Sequence, residues 1–140
     1  MGNYKGETDL QILLKEMQPV LDDERMVFCS LPTDKAEKYL MSCQGYYREQ
    51  EGVSLIINKR QADLDNLTYE PVFRRISLMV HSSLEAVGFL SRITGILGAQ
   101  GISVNVVSAF YHDHLYLKED QAETALRILE LWQKKLIESI

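Results

Sequence analysis

His112, Asp113 and His114 stand in a row, and His81 is the only other histidine in the chain. Histidines two apart on an extended segment point to one side and could share a metal ion. A neighbouring His and Asp could also serve as an acid–base pair. The competing reading is a turn, because Asp flanked by polar residues satisfies the backbone at a hairpin tip. The turn is the expectation here, with no metal and no cofactor. Glu49 and Glu51, like Glu119 and Asp120, are charge clusters without a nucleophile or base beside them. No Ser-His-Asp order, P-loop or dinucleotide fingerprint occurs, and GILGAQG (residues 95–101) spaces its glycines inside a helical pattern.

A second constellation is built to bind. In VGFLSRITGILGAQGISVNVVS (residues 87–108), Gly88 opens a helix, Gly101 closes it, and a strand follows. The first amides of a helix lack intrahelical partners and carry partial positive charge. A carboxylate or other anion can settle there without a charged side chain, and glycine lets it approach the backbone. Ser82, Ser83 and Leu84 precede this gate and supply polar groups just where the strand pattern breaks.

The elements around the gate follow from periodicity. Ile76, Leu78 and Val80 alternate with Ser77, Met79 and His81, as in a half-buried strand. Ala86, Leu90, Ile93 and Leu97 share one helix face. Ile102, Val104, Val106, Ser108 and Phe110 alternate as the next strand. Leu115–Lys118 then returns antiparallel, and a long apolar stripe from Ala122 to Leu136 predicts a helix capped by Asp120 and Glu123. Strand, helix, strand, strand, helix is a ferredoxin-like α+β sandwich lacking its fourth strand, with antiparallel pairing and both helices on one face. The Arg25 strand or the segment from Glu70 to His81 could fill that place.

The first half reads less clearly. A short helix at Leu10–Met17 ends before Pro19, and strands are expected at Arg25–Ser30, Gly45–Glu49 and Val53–Asn58, with a helix at Lys59–Asn66. LIINKRQAD (residues 55–63) and LYLKEDQAE (residues 115–123) match in pattern, which suggests a repeat. Two units are expected, residues 1–70 and 71–140. The segment from Pro32 to Cys43 lacks a gated helix, so a ligand site in the first unit is not expected.

Composition excludes other classes. With 20 acidic against 15 basic residues the net charge is −5, a poor match for phosphate backbones. Tyr46, Tyr47, Phe110 and Tyr111 therefore read as cross-strand packing rather than base stacking. Two isolated cysteines make neither a disulfide framework nor a zinc site. No apolar run reaches membrane-spanning length, and the N-terminus lacks a signal pattern. A cytoplasmic protein without nucleic-acid or membrane partners is expected.

Residues 76–126, through Gly88-x-Leu90-x-x-Ile93 and the closing Gly101-Ile102, resemble the ACT domain, a ligand-binding regulatory module of amino-acid metabolism. The whole chain is similar to small bacterial proteins made of two ACT-like units. The resemblance implies a non-catalytic regulatory protein that binds an amino acid or small carboxylate. Ser82, Ser83, Leu84, Val87, Gly88 and Phe89 would face the carboxylate, and Asn105 with Val106 the amine. Ligand would shift the packing of two units or two protomers for a partner protein to read, and a homodimer is compatible with this. The alternatives are a small enzyme using His112, Asp113 or His114, and an assembly module without ligand.

Overall fold

The computed structural model describes residues 6, 8–84 and 86–139. The chain forms two compact units, a smaller one of Asp23–Phe73 and a larger one of Met1–Asp22 with Arg74–Ile140. The join expected at residues 70 and 71 concerns chain order. Packing groups the residues differently, because the N-terminal segment stands with the C-terminal half.

The larger unit begins with helix α1 (Leu10–Glu16). Asp9 caps it, its carboxylate accepting from the amides of Gln11 and Ile12 at 3.0 and 3.2 Å. Strand β1 (Pro19–Leu21) follows. Strand β5 (Phe73–Leu78), helix α4 (Phe89–Ala99), strands β6 (Asn105–Ser108) and β7 (Asp113–Lys118) and helix α5 (Glu119–Glu138) complete the unit. Its strands lie in the order β1, β5, β7, β6. The place of the missing fourth strand is taken by β1, antiparallel to β5 with Val20 opposite Ser77. The Arg25 strand pairs with β5 at Met26 opposite Phe73, short of filling that place, and the segment from Glu70 to His81 supplies β5 itself. A three-residue strand between two turns has too weak a period to be read from sequence.

The core of this unit shows why the N-terminal segment belongs to it. Leu13, Leu14 and Met17 are fully buried with Ile76, Ile93 and Leu129 in one cluster, each worth about 1.5–3 kcal/mol of burial. The Gln133 side chain on α5 donates to the carbonyls of Lys15 (2.8 Å) and Met17 (2.5 Å), holding the otherwise unpaired end of α1. Helix α5 starts at Glu119 with Lys118 at its N-cap, so Asp120 already lies inside the helix and the Asp120–Glu123 box is not formed.

The smaller unit contains strand β2 (Met26–Leu31), a four-residue helix α2 (Thr33–Ala36) continued by a 3-10 turn (Glu37–Tyr39), strands β3 (Gly45–Glu49) and β4 (Gly52–Asn58), and helix α3 (Lys59–Leu64). β4 pairs antiparallel with both β2 and β3. Val27, Cys29, Leu55 and Ile57 bury one face of the sheet against Ala36, Tyr39 and Ala62. Among the described residues no helix is long and apolar enough to cross a membrane.

Candidate functional site

The strand-to-helix loop before α4 encloses a cleft of about 140 Å³. It is lined by Ser82, Ser83, Leu84, Gly88, Phe89 and Ser91, with Ala86 and Leu90 beside them, and closed by Ser108 and Asp113 from the β6–β7 hairpin. The backbone builds this shape through Gly88, whose φ is +86° and ψ −8°, a left-handed conformation that strains any residue with a Cβ. The N-cap position of α4 is Gly88 itself, which has no side chain to cap the helix. Arg92 N bonds Gly88 O at 3.0 Å, and the three residues whose amides precede it in the helix, Phe89, Leu90 and Ser91, all line the cleft.

Two of the cleft's groups are buried and polar. Ser82 is 6% exposed and Asp113 5% exposed, and the serine hydroxyl donates to Asp113 Oδ2 at 2.8 Å. The cleft thus presents main-chain donors from the helix on one side and a carboxylate on the other. Such a pair suits a molecule with an anionic and a cationic group close together.

Gly6 packs against the backbone of this loop. A Cβ on it would lie 2.4 Å from Ser83 N and 2.5 Å from the Ser82 carbonyl carbon, so only glycine permits this backbone contact. Gly6 gives no signal in the sequence, since one glycine near a terminus carries no pattern.

Of the residues expected at the site, the structure brings Ser82, Ser83, Leu84, Gly88 and Phe89 to the cleft. Phe89 is also a core residue, 2% exposed. Val87 stands next to the gate, outside the lining, and is 84% exposed. Asn105 and Val106 are not in the lining. Asn105 pairs with Tyr116 at the far end of β6, and Val106 packs against the core beneath the helices. The hairpin residues that do reach the cleft are Ser108 and Asp113, which are paired with each other across β6 and β7. A serine ending the apolar alternation of Val104 and Val106 was the available signal for the first.

The row His112–His114 is not the turn that the sequence suggests. The reversal lies earlier, where Ala109 N bonds His112 O at 3.0 Å, and Asp113 already starts β7. Strand alternation then turns the Asp113 side chain to the face opposite His114. Asp113 bonds Ser82, whereas His114 Nδ1 lies 2.7 Å from Ser77 Oγ. Burial lowers the His114 pKa, aided by the charges of Arg75 and His112 and opposed by Asp113. Among the described residues no group of three His, Cys, Asp or Glu side chains is placed to hold a metal ion.

Strands in the order β1, β5, β7, β6 packed with helices, and a glycine-gated cleft at the start of α4, define a ferredoxin-like α+β unit. ACT-domain family models match residues 5–74 and 72–130, and the chain belongs to the ACT-domain family, with two domains in tandem. A protein of unknown function from Vibrio cholerae, described as a possible transport protein, is 32% identical with a TM-score of 0.79, covering 89% of this chain and 95% of its own. The regulatory subunit of aspartate kinase from Thermus flavus is 11% identical with a TM-score of 0.62, over 83% of this chain and 97% of its own. Aspartokinase III of E. coli, in complex with aspartate and ADP, is 10% identical with a TM-score of 0.57, over 79% of this chain and 32% of its own. The last two likenesses concern the fold. No curated protein matches the sequence.

Proposed function

We propose that this protein is a non-catalytic regulatory protein that senses a free amino acid at the Gly88 cleft of its larger unit. The observation that carries this reading is the buried Ser82–Asp113 pair, which shares one cleft with Gly88 and Phe89 at the start of α4. The α-carboxylate would take the main-chain amides at Phe89 to Ser91, and the α-ammonium would take Asp113 in the role first given to Asn105. A volume of about 140 Å³ holds roughly five water molecules. The cleft therefore grips the head group, and the ligand's side chain extends past the exposed Leu84 and Val87.

The separate bonding of Asp113 and His114 supports sensing over acid–base catalysis, because neither histidine is oriented by that carboxylate. Signal transfer would be a population shift. Ligand bridging the 82–84 loop, α4 and the hairpin favours one arrangement of two domains or two copies, and a partner protein responds to it. A cytoplasmic location belongs to this reading.

A thermal-shift screen of the free amino acids tests it. A ligand at a hundredfold excess over its Kd stabilises by about 2.7 kcal/mol, a rise on the order of 10 °C. The Asp113→Asn variant should fold and lose that rise. Equal rises in the variant and the parent would remove Asp113 from the site, and no rise with any amino acid would end the proposal.

A further inference from the structure

The smaller unit has a cleft of its own, about 630 Å³ in volume, between the α2 segment and the turn after α3. Sites for small molecules usually measure about 300–1,000 Å³. Lys35, Lys38 and Tyr39 line one side, Asp65 and Leu67 the other, and Leu31 joins them from the end of β2.

Its polar groups are held in a defined arrangement. Tyr39 is 5% exposed, and its hydroxyl donates to Asp65 Oδ2. Gln61 Nε2 donates to the same oxygen at 2.9 Å. Both donors fall on Oδ2, so Oδ1 keeps its acceptor capacity. The Tyr39 hydroxyl, then Gln61, with the Lys38 charge adding to them, holds the Asp65 carboxyl below the usual carboxylate range. Asn66 follows with φ +55°, a left-handed step that turns the chain between Asp65 and Leu67. Lys38 Nζ sits 5.1 Å from the centroid of the Tyr39 ring, and Lys35 and Asp34 stand exposed at the rim.

The lining carries two ammonium groups and two carboxylates beside an apolar wall of Leu31, Leu67 and the Tyr39 ring. A pure anion would meet Asp34 and Asp65, and a pure cation would meet both lysines. A molecule bearing both charges meets opposite charge at each end. We propose that this cleft is a second binding site, for a small zwitterion with an apolar body, its ammonium on Asp65 Oδ1 and its anionic group on Lys35 and Lys38. It is independent of the Gly88 cleft and lies in the unit where the sequence shows no gated helix.

The test is a ¹⁵N amide titration of the full chain with leucine and with leucyl-leucine, beside N-acetyl-leucine and leucinamide, which lack one charge each. The zwitterions should move the amides of Lys35, Tyr39, Asp65 and Leu67, and should do so equally in the Asp113→Asn variant, which separates this cleft from the other. Asp65→Asn keeps an oxygen for Tyr39, and Lys35→Ala changes only an exposed side chain. Each should weaken binding about tenfold or more, and so should either blocked analogue. Absence of shifts at these amides, or unchanged affinity in both variants or for both analogues, would overturn the proposal.

Discussion

Ser82 Oγ and Asp113 Oδ2 are 2.8 Å apart, joining the loop before α4 to the first residue of β7 across 31 positions of chain. Both residues are buried, so the bond costs far more to lose on one side than on both. Ser82→Ala leaves a buried carboxylate short of a donor and should destabilise by about 1–3 kcal/mol. Adding Asp113→Ala should recover part of that loss. A double-mutant cycle in urea would give a coupling energy of about 1–3 kcal/mol. Simple additivity of the two substitutions would mean that the bond does not organise the loop.

Gly88 tests whether the gate needs space or conformation. A Cβ there would have Leu10 Cδ2 as its nearest neighbour, at an ordinary 3.8 Å, so crowding within the protein is not the constraint. The positive φ is. Gly88→Asn, which tolerates the left-handed region, should cost less than about 1 kcal/mol, while Gly88→Val should cost about 1–3 kcal/mol. Denaturation midpoints of the two variants decide the point, since a purely steric gate predicts similar losses for both.

The parts legible in the sequence were those with a sustained period. Helix α4 and strands β5 to β7 bury Ile76, Leu78, Ile93, Leu97, Leu115 and Leu117, and alternation or helical spacing had marked the first four of them. The match between residues 55–63 and 115–123 falls on two equivalent junctions, β4 into α3 and β7 into α5. At the site, the loop residues were legible because Gly88 punctuates a pattern. Asp113 was not, because a polar triplet beside a reversal looks the same whether its aspartate faces water or the core. Register decided it, since Ser108 opposite Asp113 places that side chain under the helices. The role of β1 was hidden for another reason. A strand of three residues gains its identity only from its partner β5, more than 50 positions later.

His114 should leave a mark on the pH dependence of stability. Burial, with the Arg75 and His112 charges, lowers its pKa in the folded chain below the ordinary 6.5, against the opposing pull of Asp113. As pH falls through about 6.5, the unfolded chain takes up a proton that the folded chain refuses. Stability contributed by this group is therefore complete above pH 6.5 and declines below it, levelling off under the folded-state value. His114→Gln should flatten this segment of the pH–stability curve. Titration by ¹³C or ¹H NMR would show the His114 ring protonating at lower pH than an exposed histidine, and an unshifted ring would refute the argument.

The N-terminal segment makes a prediction about folding of the larger unit. It contributes the buried side chains Leu13, Leu14 and Met17 and the strand β1 beside β5. Gln133 on α5 holds the last carbonyls of α1, and Gln133→Ala should cost about 1–2 kcal/mol. Deleting residues 1–22 removes burial comparable to the whole stability of a small domain, about 5–15 kcal/mol. The truncated chain should lose dispersed NMR signals from β5, β6 and β7. Joining residues 8–22 behind residue 139 through a flexible linker should restore them, because β1 pairs with β5 through main-chain bonds that do not depend on chain order. Dispersed β5–β7 signals in the truncated chain would show instead that three strands and two helices suffice, and that α1 and β1 only cover a core already formed.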